Sequence, residues 1–135
     1  MSIVNYEPTN SPCVNTPITR WHAVHGWIWN ARDTRSGELL GVFYATKLCQ
    51  DGVIIHFDTL IRVTPAQIFS GFKKGIRMLI PHCAVIYATV PAGSIALIRV
   101  LKHLGFRVVS EGGYVCEGKE MLLLKYFGSQ NAIFL

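Results

Sequence analysis

The run AVIYATV, residues 84–90, limits the possible folds more than any other stretch. It is short, nearly all apolar, and lies between two longer segments whose apolar residues recur at helical spacing. A strand this apolar has no face for water, so it belongs inside a sheet covered on both sides. In the preceding segment, residues 65–80, Ile68, Phe69, Phe72, Ile76, Leu79 and Ile80 form one helical stripe, while Lys73, Lys74 and Arg77 fall largely off it. Pro81 ends that helix. In the following segment Leu97, Val100, Leu101 and Leu104 face inward, and Arg99, Lys102 and His103 face outward. Ser94 reads as its N-cap and Gly105 as its C′ residue.

Upstream, WHAVHGWIWNA (21–31), ELLGVFYAT (38–46) and VIIHFDTLIRV (53–63) read as three strands. The first would place His25, Trp27 and Trp29 on one face and Val24 and Ile28 on the other. DTRSG and LCQDG are turns, and the Asp-Gly pair in the second is a hairpin signal. Downstream, residues 107–127 read as two strands joined near Glu117 to Lys119. The predicted order is β-β-β-α-β-α-β-β. It describes an α/β (α+β) domain over residues 21–135, with one mixed, mostly antiparallel sheet flanked by two main helices. Residues 1–20, rich in Pro, Asn, Thr and Ser, read as an irregular arm with room for a short strand at 3–6.

The chain has 135 residues, half of them apolar, which suits a single core. Cys13, Cys49, Cys83 and Cys116 are isolated, so the sequence predicts reduced thiols, no metal and no disulfide framework. It has no run of roughly 20 apolar residues that would span a membrane. The first residues lack the pattern of a secretory signal, which predicts a cytoplasmic protein. The net charge of +5 is scattered except at Lys73, Lys74 and Arg77. With Trp21, Trp27 and Trp29, that cluster allows nucleic-acid contact; alternation along a strand instead puts at least two of the tryptophans in the core.

His56 and Asp58, two apart, share one strand face. An imidazole there can deprotonate an amine near neutral pH; alternatively, Asp58 merely holds His56 by a hydrogen bond. Tyr87 is a candidate acid or a packing residue. The stretch VTPAQIFSGFKKG poses a second choice, between a phosphate-cradling loop and a helix start. Thr64, Pro65 and Gln67 form a capping box with proline at the first helical position, which favours the helix. Gly71 and Gly75 then serve close packing.

SIALIRVLKHLGFRVV, residues 94–109, resembles the penultimate helix and strand of the GNAT family, the acyl-CoA N-acyltransferases. The strand order matches the GNAT core from its second strand onward, over residues 21–127. The resemblance implies acetyl-CoA in a V-shaped opening between two splayed parallel strands, here VIIHFDTLIRV and AVIYATV. Val63, Gln67, Gly71 and Ser94 would be the cofactor contacts. The family's pyrophosphate loop reads Gln/Arg-x-x-Gly-x-Gly/Ala; here the glycine comes one residue late, at Gly71. The tyrosine that often acts as general acid is replaced by Leu101, and the asparagine opening that helix by Ser94. The two helices that usually follow the first strand have no room before Trp21. Through MSIVNYEP, HFDTLIRVTPAQIFSGF and LKHLGF, the chain is also similar to small GNAT-like proteins of short-tailed bacteriophages that take part in head assembly. That similarity implies a catalytically degenerate module needing no cofactor. It would bind other phage structural or internal virion proteins, in the host cytoplasm or the virion. The alternative it leaves is an acetyl-CoA-dependent N-acetyltransferase.

Overall fold

The computed structural model describes residues 3–109, the backbone of 114–116, and 118–127. Along the chain run β1 (Val4–Pro8), α1 (Pro17–His25), β2 (Trp27–Asp33), β3 (Leu39–Cys49), β4 (Gly52–Thr59) and α2 (Pro65–Leu79). They are followed by β5 (Val85–Pro91), α3 (Ile95–His103), β6 (Arg107–Val108), β7 (Tyr114–Cys116) and β8 (Lys119–Phe127). One sheet holds the strands in the order β1-β2-β3-β4-β5-β8-β6, with β7 on β8. β4 and β5 pair in parallel, and the other pairs are antiparallel. The crossover between β4 and β5 is α2, so the mixed sheet with two crossover helices stands as predicted. β7 is an additional strand; Glu117, in the expected turn before β8, lies outside the described residues.

The helix α1 departs from the sequence reading. The short strand expected near residues 3–6 is present as β1, which pairs with β2 along its length, but the stretch after it is not irregular throughout, because α1 begins at Pro17. Residues 21–31 are not one strand, because α1 runs through His25 and β2 starts at Trp27. The cause is local. Thr16 caps α1, with Pro17 at the first helical position and a reciprocal bond from Thr19. The tryptophans follow from this. Trp29 packs on the core, but Trp21 and Trp27 are 47% and 48% exposed, so only one of the three lies where alternation put two.

The sheet has two covered faces. Between it and the helices α2 and α3 lies the main core, with Phe43, Ile55, Ile76, Ile86, Leu101 and Leu124 fully buried. Each such side chain contributes about 1.5–3 kcal/mol by leaving water. The opposite face carries a smaller cluster, Ile28, Val42 and Tyr44, under Ala23 of α1. β4 alternates between the two. Val53, Ile55 and Phe57 face the main core, so Ile54, His56 and Asp58 face the side of α1. α2 sits close to the sheet because Gly75 meets the ring of Phe43, where a Cβ would come within 2.5 Å of Cζ. β1 is strapped to α2 as well: Ile3 N–H donates to Ser70 Oγ, Tyr6 O–H to the Gly71 carbonyl and Lys74 Nζ to Asn5 Oδ1, at 3.3, 2.6 and 3.1 Å.

Candidate functional site

The pairing of β4 with β5 runs from Gly52↔Val85 to Ile55↔Ala88 and stops there. β4 continues to Thr59 and β5 to Pro91, so the two parallel strands open into a V at their carboxyl ends. In open α/β sheets ligands enter at such a point. The first residues of β4 past the last pair include His56 and Asp58, on the α1 face.

Asp58 does not hold His56. Its Oδ2 accepts the hydroxyl hydrogen of Tyr44 at 2.8 Å, and the Tyr44 ring stacks on the His56 ring with centroids 5.0 Å apart. Burial, then the bond to Asp58, pushes the Tyr44 phenol far above its usual range, so it stays protonated. Burial lowers the pKa of His56, with a smaller contribution from nearby His22, while the Asp58 charge opposes them. His56 is therefore neutral at pH 7 and able to accept a proton. Among the described residues no group hydrogen-bonds its ring nitrogens. Beneath Tyr44, buried His22 is fully engaged: Nδ1 bonds to the Ile18 carbonyl at 2.8 Å and Nε2 to Thr46 Oγ1. A carbonyl can only accept, so Nδ1 carries a hydrogen, and Nε2 shares a hydrogen bond with the Thr46 hydroxyl. That arrangement fixes the shelf on which Tyr44 and His56 stack.

Sequence reasoning missed Tyr44 and His22. The β3–β4 register pairs Tyr44 with His56 and Val42 with Asp58. Counting back from the Asp51-Gly52 turn points toward Tyr44, but the irregularity between Lys47 and Cys49 shifts that count. Tyr87 does not join the group. It pairs with Ile54, and its ring lies over Gly52, at the closed end of the V. Four strand residues, about 13 Å, separate Gly52 from His56.

α2 starts just beyond β4, and its first-turn amides are the donors a diphosphate would use. Pro65 has no N–H. Thr64 N–H donates to Gln67 Oε1 at 2.9 Å, and Gln67 N–H donates to Thr64 Oγ1 at 3.1 Å. Gln67 Nε2 donates to Asp33 Oδ2 at 3.0 Å. Asp33 is itself held by the amides of Ser36 and Arg35, which with Gln67 bring its carboxyl down to about 2. Ala66 keeps the one first-turn amide without an internal partner among the described residues. Gly71 faces Tyr6 and Phe57, and Val63 packs on the core. The diphosphate end of coenzyme A does not fit here; the open V is compatible with its extended arm. Ser94 stands at the N-cap of α3 without a side-chain capping bond. Leu101, in place of the family's tyrosine, is fully buried.

Lys73, Lys74 and Arg77 line a shallow concavity of about 660 Å³ on the outer side of α2. Lys74 is tied to Asn5 and Lys73 lies over the Phe69 ring. Among the described residues no group of three or more His, Cys, Asp or Glu could hold a metal ion.

No family model and no curated protein sequence matches the chain. Solved structures do. An acetyltransferase from Bacillus cereus aligns with a TM-score of 0.70 at 10% identity, over 94% of this chain and 99% of its own. A GNAT-family acetyltransferase from Elizabethkingia anophelis with acetyl-CoA bound aligns at 0.67 and 12% identity, over 93% and 98%. A spermidine N-acetyltransferase from Vibrio cholerae in complex with CoA and spermine aligns at 0.65 and 9% identity, over 85% and 73%. The fold is the GNAT fold.

Proposed function

We propose that this chain transfers an acyl group to an amine, with His56 as the base. The observation that carries this reading is the end of β4–β5 pairing at Ile55, immediately before an imidazole whose ring nitrogens have no hydrogen-bond partner among the described residues. A bound thioester supplies the activated carbonyl. As the amine nitrogen bonds to the acyl carbon, His56 takes the proton that the nitrogen sheds; the carbon–sulfur bond of the thioester then breaks, and the sulfur leaves as a thiol carrying a proton returned from the His56 imidazolium or from water. Tyr44 and His22 hold the imidazole ring, and Asp58 keeps the Tyr44 hydroxyl in place. The shared fold with acetyltransferases supports the reaction class. The acceptor is a different matter: a chain of net charge +5 repels polycations, so the amine belongs to a neutral or acidic molecule rather than a polyamine.

The test is acetyl transfer to a panel of amines by wild type and His56→Gln. Loss of the base lowers kcat/KM by about 10²–10⁴-fold, with an unchanged circular dichroism spectrum. Equal rates for the two proteins would remove His56 from the reaction.

A second reading has observations of its own. Leu101 cannot give a proton, the capping box engages the amides of Thr64 and Gln67 at the start of α2, and α1 exposes Ile18, Trp21 and Val24. These suit a module that binds other phage structural or internal virion proteins during head assembly, in the host cytoplasm or the virion. No helix among the described residues is long and apolar enough to cross a membrane. Binding of an acyl donor at micromolar concentration would count against this second reading.

A further inference from the structure

The start of α2 bears on the donor as well as on stability. A helix N-terminus holds phosphates with free amides and a positive dipole. Here the proline removes one donor and the capping box consumes two more. The cap cannot simply swing aside, because both polar atoms of the Gln67 side chain are engaged, Oε1 by Thr64 and Nε2 by Asp33. The glycines that would let a phosphate approach the backbone point inward, Gly71 at Tyr6 and Phe57, and Gly75 at Phe43. Two apolar side chains flank the V: Leu60, just after β4, and Ile95, at the start of α3, are 49% and 61% exposed.

We infer that this chain holds its acyl donor by the pantetheine thioester arm alone and leaves the diphosphate and nucleotide of coenzyme A ungripped. The inference rests on the acyl-transfer reading above and specifies its donor. The arm needs only what the V offers, two strand edges that no longer pair and an apolar rim. The chemistry recognised is a pantetheine thioester, free or attached to a carrier protein.

Calorimetric titration of the whole chain with coenzyme A, pantetheine and adenosine 3′,5′-bisphosphate tests this without requiring turnover. Coenzyme A and pantetheine bind with dissociation constants within about threefold of each other, and the bisphosphate shows no binding at millimolar concentration. A working cradle of two charge-assisted amide bonds separates the first two ligands by about 100-fold or more. Such a separation, or binding of the bisphosphate, overturns the inference and leaves acyl transfer standing. Failure of all three ligands to bind overturns the acyl-transfer reading itself. The double variant Thr64→Ala, Gln67→Ala frees two amides, and in the folded variant coenzyme A gains affinity over pantetheine. An unchanged ratio overturns the claim that the cap is what excludes the diphosphate. Comparing acetyl transfer from S-acetylpantetheine and from an acetylated carrier protein then identifies the source: faster transfer from the carrier assigns a protein-borne donor, faster transfer from the small molecule a free one.

Discussion

Gly75→Ala isolates the claim that the glycines of α2 serve packing. An alanine Cβ would lie 2.5, 2.7 and 3.0 Å from Cζ, Cε2 and Cε1 of Phe43. Carbon atoms settle at about 3.5–4.0 Å, so the ring must retreat by roughly 1 Å. It has little room to do so: Phe43 is fully buried, 5.1 Å from the Tyr6 ring and 5.8 Å from that of Trp29. Overpacking of this kind costs about 1–3 kcal/mol, and the boxed aromatic ring puts this case at the upper end. Replacing glycine inside a helix offsets about 1 kcal/mol of that. The net loss is about 1–2 kcal/mol. Urea unfolding followed by far-ultraviolet circular dichroism measures it as a lower midpoint with an unchanged m-value. The Tm falls by about 3–8 °C. Gly93→Ala is the control, since nothing lies within 4 Å of its Cβ position, and it is close to neutral. Adding Phe43→Leu to Gly75→Ala recovers at least about 0.5 kcal/mol relative to additivity. A Gly75→Ala protein as stable as wild type would refute the reasoning.

Further outcomes follow from the same geometry. Asp58→Asn removes the charge that raises His56, so the imidazole titration followed by NMR moves to lower pH, and the acidic limb of kcat/KM moves with it. Asp33 ionises at about 2 against an ordinary 3.8. Its folded pKa is the lower one, so the stability it contributes is full above about pH 4 and is lost as the pH falls through about 2. Gln67→Ala removes one of its donors and raises the Asp33 midpoint, which carboxyl-carbon NMR reads directly. Tyr126 buries a hydroxyl that has no hydrogen-bond partner among the described residues. Tyr126→Phe therefore leaves the Tm unchanged or raises it, by no more than the equivalent of about 1 kcal/mol.

The parts of the fold that were readable are those where a local signal and the tertiary environment agree. α2 and α3 have strong apolar stripes and clear ends, and β5 is framed by both. Residues 17–25 do not read as a helix although they contain the same device as α2. Thr16-Pro17-Ile18-Thr19 and Thr64-Pro65-Ala66-Gln67 both begin helices, but threonine at the third position is a weaker signal than glutamine, and the following aromatics resemble a strand. α1 has a weak apolar stripe because much of it faces water. In the site, His56 and Asp58 were visible as a strand-face pair. Their partners were not, because Tyr44 and His22 come from other elements and a register irregularity lies between the turn and Tyr44. The choice between a cap and a phosphate loop was legible because both readings concern the same four residues.

The strap between β1 and α2 also sets the order of assembly on the ribosome. β1 and β2 can meet early, but Ile3, Tyr6 and Asn5 find Ser70, Gly71 and Lys74 only 65 to 69 positions later. Until that helix emerges, the first strand has one face of its side chains in water, and its pairing rests on backbone bonds and the exposed Arg32–Glu7 ion pair. Contacts this distant along a chain slow its maturation. A nascent chain halted before residue 70 should therefore be cut readily by proteases near its start, and one halted after α2 should resist them.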